Sequence, residues 1–586
     1  MNGYDARRDF NGDARLLPIG ALGAAIGACS VGTAWLLLHA IHLFTNLFFF
    51  QTWSDLFHSP AANTLGAWVI GVPVLGGLVI GLIARYGSEQ IRGHGIPEAI
   101  EAILFKRSAM SPKVAVLKPL ASAIAIGSGG PFGAEGPIIM TGGAIGSLVA
   151  QHFHLSGAER KTLLVAGAVA GMTAVFGTPI AALLLAVELL LFELRPRSLL
   201  PVALACAVAG FLRPLILDAA PLFPQQTQAL QPLALLSCAA AGLVCGALAW
   251  AMSTALYRIE DAFHALPIHW MWWPALGGLA VGIGGYFQPR ALGVGYDVIA
   301  DLLQNHLAAT VVLSLLLVKA AIWLVALGSG TSGGVLAPLL MLGAGVGTLL
   351  GPYMPGGDAA VWPLVCMAAT LGGMMRAPIM ATVFAYELTH DANALLPVLA
   401  ATAVAYGFTV ITMHRSILTE KIARRGRHIY REYGIDPLER HSVAEVMSAH
   451  PVSIDAATPV ADLMPKYFGA AQRYRAYPVL REGAVIGMLD RAALEAAGEA
   501  NKAGDLYGAN VPVVALRGET CRAVAIRLAV HELERLPVVD DAASRRLVGV
   551  VSRSDLIRST LLLHDEENVR FRFRRLGARV ADVEGQ

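Results

Sequence analysis

One carboxylate stands alone in a long apolar stretch. Glu135 lies in Gly133-Ala134-Glu135-Gly136-Pro137, and no other Asp, Glu, Lys or Arg occurs from Pro119 to Ala158. An ionisable group inside an apolar span is costly, and such groups mark ion or proton pathways. Apolar surroundings favour the neutral acid, whereas nearby helix starts favour the carboxylate. Ionised, such an acid can take an anion's place among backbone amides; protonated, it can swing away. This is the chemistry of a proton-linked gate. The plainer reading is a glutamate at a helix start near the interface, satisfied by water.

The glycines and prolines around Glu135 recur. Residues 127–148 read GSGGPFGAEGPIIMTGGAIGSL and residues 328–349 read GSGTSGGVLAPLLMLGAGVGTL, with 9 of 22 positions identical at an offset of 201. PIAALLLAVEL (179–189) matches PIMATVFAYEL (378–388) at 6 of 11 positions, and Gly93-His94-Gly95 stands against Gly293-Val294-Gly295. Three blocks that keep one spacing define two repeated halves. Each GSG block is a Gly-rich stretch followed by a proline (Pro137, Pro338) and an apolar run. Proline fits the first turn of a helix, so each block is predicted to end a loop and start a helix inside the membrane. Free amides at a helix start bind anions, and transporter sites form where repeated halves bring broken helices together. Glycines that only allow close helix packing are the structural alternative. Glu188 and Glu387 are also repeat-related, and either proton transfer or structural hydrogen bonding suits them.

The elements that must position these residues are membrane helices. Of 586 residues, 55% are hydrophobic and only 15% charged, against roughly 25% in soluble domains. No charge occurs in Leu16–Ser54, Ala219–Tyr257 or Ala320–Gly357. Each run is long enough for one tilted helix or two, since a span needs about 20 residues. Met1–Arg15 is polar, and the apolar stretch after it is too long for a cleaved signal core. Arg7, Arg8 and Arg15 before the first helix, and Arg415, Lys421, Arg424, Arg425 and Arg427 after the last, place both ends in the cytoplasm. Residues 415–586 hold 26 of the 44 Lys and Arg. Five of the six cysteines lie in apolar segments without metal spacing and read as core thiols. The apolar region has no Ser/His/Asp set, His-Glu-x-x-His or metal cluster, which argues against an enzyme. It also lacks the acidic clusters that a hard cation needs, and nothing points to nucleic acid.

Three loops carry a resemblance. Gly93-His94-Gly95-Ile96-Pro97, Gly133-Ala134-Glu135-Gly136-Pro137 and Gly334-Val335-Leu336-Ala337-Pro338 resemble the signature loops of CLC chloride channels and proton/chloride antiporters, which read GSGIP, G(K/R)EGP and GxFxP. The resemblance covers roughly residues 15–425. It implies an inner-membrane homodimer with an anion pathway in each subunit, backbone amides of Val335 and Leu336 meeting the anion, and Glu135 as gate. Four departures stand out. His94 replaces the family's serine, Leu418 replaces its pathway tyrosine in Ser416-Ile417-Leu418-Thr419, Leu336 replaces a phenylalanine, and Leu189 stands where many antiporters carry an inner glutamate. Both hydroxyls that commonly hold the central anion are thus missing, and channel and proton-coupled antiporter both stay open. A CBS-regulated cation transporter is the alternative.

The tail holds a smaller repeat. YPVLREGAVIGMLDRAAL (477–494) and LPVVDDAASRRLVGVVSRSDL (536–556) resemble tandem CBS modules, which often bind adenine nucleotides. Ser552 and Asp555 fit the ribose-binding Ser-x-x-Asp pattern, or simply form a capping box; the first module, with Asp490-Arg491-Ala492-Ala493, lacks the acid. No other cofactor is expected. The expected fold is an all-α polytopic membrane protein with two repeated halves and broken helices, followed by an α+β CBS pair. The expected layout is a cytoplasmic N-terminus (1–15), a transport unit (16–425, halves about 60–216 and 232–414), modules at 441–495 and 504–562, and a basic tail (563–586) that touches solvent or lipid headgroups.

Overall fold

A computed structural model describes residues 14–558 except 218–219, 428, 430–436, 470–471, 473, 497–499 and 508–511. Arg7, Arg8 and the arginines of 570–579 lie outside the described residues. The described residues fall into two units, 14–429 and 437–558.

The first unit is helical. Among the described residues, seven helices are long and apolar enough to cross a membrane, including Leu16–Phe50, Gly66–Tyr86, Ala234–His264 and Ala309–Gly328, and two shorter apolar ones are Pro179–Leu191 and Ala359–Met375. The charge-free runs resolve differently. Leu16–Thr45 forms one helix, whereas 320–357 is broken between Ala309–Gly328 and Leu336–Leu350. The break falls at the GSG block, as does the one between Pro112–Gly127 and Glu135–Gln151. Cys206, Cys238, Cys245 and Cys366 are buried, but Cys29 is exposed on its helix and is no core thiol.

The two halves touch each other reciprocally. Helix Gly71–Tyr86 packs against Trp273–Phe287 so closely that a Cβ on Gly77 would fall 2.3 Å from the Pro274 carbonyl oxygen, and one on Gly278 would fall 2.2 Å from that of Pro73. Gly81 meets Met271 in the same way, and Gly282 meets Ile70. Each pair is its partner shifted by the repeat offset. Mutual contacts of this kind are the signature of a two-fold relation. Contacts from 77 to 81 run against contacts from 274 to 271, so the two helices are antiparallel and the halves are inverted with respect to one another.

Glycine is needed in the turns as well as in the packing. Gly93, Gly95, Gly293 and Gly295 have φ of 80°, 90°, 65° and 80°, a region that side chains other than glycine's disfavour. These turns launch helices Ile96–Phe105 and Tyr296–Leu303.

The second unit carries the tail repeat. Strand β1 is Ser448–Ala449, β2 Ile454–Asp455, β3 Ala476–Arg481, β4 Ala484–Asp490, β5 Ala515–Leu516, β6 Arg535–Val539 and β7 Leu547–Ser552. One sheet has the order β2-β3-β4 and the other β1-β7-β6-β5. β2 runs parallel to β3 and β3 antiparallel to β4; β5, β6 and β7 repeat that pattern, with a register shift at Val479/Leu480 and again at Val538/Val539. The cores exchange segments. Val443 and Val446 pack with residues 515–556, while Ala503 packs with residues 454–494.

Gly77→Val and Gly278→Val are each expected to lower the thermal midpoint of the detergent-solubilised protein, because overpacking against backbone costs about 1–3 kcal/mol. An unchanged midpoint for both would contradict the close reciprocal contact.

Candidate functional site: a carboxylate at the junction of three loops

The three motif loops converge. Gly133 and Gly334 form an antiparallel bridge, with Gly334 N–H donating to the Gly133 carbonyl at 3.0 Å and Gly133 N–H to the Gly334 carbonyl at 3.4 Å. A Cβ on Gly136 would lie 1.9 Å from the His94 carbonyl oxygen and 3.3 Å from Gly334 Cα. Gly136 is therefore where the loops around 93, 133 and 334 meet. The outer ends of the loops are joined too: Gly93 N–H donates to the Gly330 carbonyl (3.3 Å), and Gly293 N–H to the Gly129 carbonyl (3.0 Å).

Glu135 is the first residue of helix Glu135–Gln151 and is completely buried. Its Oε1 accepts from the Ala337 amide at 3.1 Å, in the first turn of helix Leu336–Leu350 from the other half. The carboxylate thus engages Ala337, one residue beyond the Val335 and Leu336 amides named from sequence. Pro338 follows and has no N–H to offer. The carboxylate lies over two glycines. A Cβ on Gly133 would sit 1.9 Å from Oε2, and one on Gly334 would sit 2.4 Å from it. Ala134 is the N-cap of the Glu135 helix, and Pro137 is its third residue.

His94 and Leu418 stand in contrasting settings. His94 is 3% exposed, and neither ring nitrogen has a hydrogen-bond partner. Ile96 and Pro97 open the helix that follows, with Gly95 as N-cap. Leu418 is fully buried in the first turn of Ile417–Arg424. The neighbouring hydroxyl of Tyr257 is already committed, donating to the Ile417 carbonyl.

Sequence reasoning missed four polar groups at these loops, three of which hold them. Lys118 Nζ donates to the carbonyls of Ile91 (2.8 Å) and Gly93 (2.7 Å), and its repeat counterpart Lys319 donates to Ala291 (2.9 Å) and Gly293 (2.8 Å). Each Gly-x-Gly turn is thus tied by a buried ammonium. Glu98 accepts from the Gly95 amide (3.0 Å) and pairs with Lys421 (3.1 Å) and Arg425 (3.2 Å). The fourth is Tyr296, whose phenol faces Glu135. The recurrence of Lys at offset 201 and the capping spacing Gly95-x-x-Glu98 were the available signals.

Glu188 and Glu387 serve as reciprocal helix caps. Glu188 accepts from the amides of Ile379 (3.3 Å) and Met380 (2.9 Å), and Glu387 from those of Ile180 (3.0 Å) and Ala181 (2.7 Å). Both oxygens of each carboxylate are engaged with the first turn of the matching helix in the other half. In the second unit, Ser552 N–H and Oγ–H donate to Asp555 Oδ2 (2.9 and 2.6 Å), and Asp555 N–H donates to Ser552 Oγ (3.3 Å). That is a closed capping box. In the first module Asp490 takes the capping role, accepting from Ala493 N–H at 2.7 Å.

Comparison with known proteins agrees with this geometry. Residues 76–410 match the family described as voltage gated chloride channel, and residues 443–497 and 507–561 match the CBS domain. The voltage-gated ClC-type chloride channel ClcB of Escherichia coli O81 (strain ED1a) is 31% identical over 369 residues, covering 61% of this chain and 87% of the relative. The protein of that name from Shigella flexneri gives the same values. Among solved structures, a eukaryotic CLC transporter aligns with a TM-score of 0.61 at 20% identity over 92% of this chain and 98% of its own. A slow cyanobacterial Cl-/H+ antiporter aligns at 0.60 and 20% identity over 71% and 98%. At that identity the structures speak for the fold. Family match, relatives and the junction of three motif loops lead to one statement: the chain belongs to the voltage gated chloride channel (CLC) family and carries a pair of CBS domains after its membrane unit.

Proposed function

We propose that this protein carries chloride or a similar small monovalent anion across the cell membrane, with Glu135 as a protonatable gate, working as a channel or as a proton-coupled antiporter. One observation carries the reading. A buried carboxylate is held by the starting amide of a helix from the opposite half, over two glycines that leave no room for a side chain. The place is shaped for negative charge. Helix starts present unpaired amides and the positive end of the dipole, and lipid provides no substitute partner. His94, with two unpartnered ring nitrogens, supplies a further donor toward an anion, while Leu418 supplies none. Gly93, Gly95, Ile96, Pro97, Gly133, Ala134, Gly136, Pro137, Gly334, Val335, Leu336, Ala337 and Pro338 form the backbone lining of the proposed pathway. A hard cation would require a cage of several free oxygen ligands, whereas the Gly133 and Gly334 carbonyls are already bonded to each other's amides and the Glu135 carboxylate meets the Ala337 amide, a hydrogen donor.

Glu188 has both oxygens engaged as a helix cap, and Leu189 follows it, so proton delivery to Glu135 has no second carboxylate at that point. The working unit proposed is a homodimer with both termini in the cytoplasm. The CBS pair is proposed to bind an adenine nucleotide through Ser552 and Asp555, whose mutual bonds would open to receive a ribose.

In liposomes loaded with chloride, with internal chloride and external pH recorded together, Glu135→Gln is expected to abolish any proton movement and to change anion flux. Normal chloride-driven proton pumping by that variant would overturn the gate assignment. Proton movement in the wild type identifies antiport, and chloride flux without it identifies a channel. ATP or AMP at about a hundred times its Kd is expected to stabilise the full-length protein by about 2.7 kcal/mol, and Asp555→Ala to remove that shift. Absence of any shift in the wild type would leave the CBS pair with a structural role.

A further inference from the structure

The hydroxyl of Tyr296 is a buried donor that the pathway described so far does not use. Tyr296 opens helix Tyr296–Leu303, directly after the positive-φ turn at Gly295. Its ring is held edge-on by Phe176 (centroids 6.1 Å apart, 74°) and Phe223 (6.2 Å, 65°), and Phe176 in turn meets Phe384 edge-on at 5.2 Å. Phe223 is pinned by its amide, which donates to the Leu388 carbonyl at 2.9 Å. The turn beneath the ring is tied down by Lys319 on Gly293. Residues of both halves therefore fix where the phenol points.

It points at Glu135. The contact stops short of a formed hydrogen bond, since Tyr296 Oη and Glu135 Oε2 are both buried and both lack a partner. A buried tyrosine hydroxyl normally finds a partner, and a buried orphan calls for an explanation, such as a ligand that comes and goes.

We propose that Tyr296 Oη is a direct ligand of the anion that takes the place of the Glu135 carboxylate, donating to it from one side while the Ala337 amide donates from the other. The assignment rests on the anion-transport reading above and adds to it a named donor. Where His94 and Leu418 offer no hydroxyl, Tyr296 offers one at the start of a different helix, on the second half's Gly-x-Gly turn. A planar carboxylate tethered to its own backbone satisfies the Ala337 amide and leaves the phenol short of a bond. A free spherical anion has no tether and can centre itself between the two donors. A neutral phenol also adds no fixed charge, so it holds a dehydrated anion without trapping it.

The test uses full-length protein with the carboxylate removed. Glu135→Ala is titrated with chloride by calorimetry, alone and combined with Tyr296→Phe, which keeps the ring and its clamp. The double variant is expected to bind chloride about tenfold more weakly, in line with the loss of one hydrogen bond to a charged partner. Equal affinity in the two would overturn the role of Tyr296 while leaving the anion site standing. No chloride binding by Glu135→Ala would overturn the anion site itself, and this assignment with it. If the double variant does not fold, 3-fluorotyrosine placed at position 296 alone gives a second readout in the Glu135→Ala protein. Its 19F resonance is expected to shift saturably with chloride, and a resonance indifferent to chloride would overturn the proposal.

Discussion

The structure depends on one constraint: in a membrane, the amides at the start of a broken helix must find a partner inside the protein. Where the three motif loops meet, that partner is the Glu135 carboxylate, which crosses from one half to the Ala337 amide of the other. The arrangement is double-edged. Two helix starts and a short bridge between Gly133 and Gly334 make a place for negative charge, and the protein fills it with a side chain that a proton can neutralise. On the function proposed above, removing the carboxylate leaves this place to a dehydrated anion.

That junction needs two halves brought together with little slack. The reciprocal contacts of Gly77 with Pro274 and of Gly278 with Pro73 let two helices approach to backbone contact. Lys118 and Lys319 tie the Gly-x-Gly turns from within. Glu188 and Glu387 exchange caps across the same pseudo-two-fold relation. None of these groups is bonded to the carboxylate; they join the two halves around it. The junction is thus framed by buried polar bonds from Lys118, Lys319, Glu188 and Glu387.

Much of this was legible in the sequence. The repeat offset of about 200, the Gly-rich breaks before Pro137 and Pro338, and the isolation of Glu135 follow from residue types alone, because glycine, proline and a lone acid in apolar sequence each have few physical uses. What stayed hidden was long-range pairing. Lys118 and Lys319 border charge-free runs and so read as the edges of spans, whereas their ammonium groups turn inward to carbonyls. Tyr296 reads as an ordinary helix-start residue until the fold sets it beside Glu135. Glu188 and Glu387 left two roles open in sequence, and only contacts between segments some 200 residues apart show them as caps. In the CBS pair, strands of two residues such as β1 and β5 carry no periodicity, and the exchange of Val443 and Ala503 between cores has no local signal.

On the proposed function, carboxylate and anion compete for one set of donors. Anomalous diffraction from bromide-soaked crystals of the wild type and of Glu135→Ala tests it directly. The expected result is bromide at the Ala337 amide in the variant and a carboxylate oxygen at that position in the wild type. Bromide at that amide in both proteins, or in neither, would contradict it.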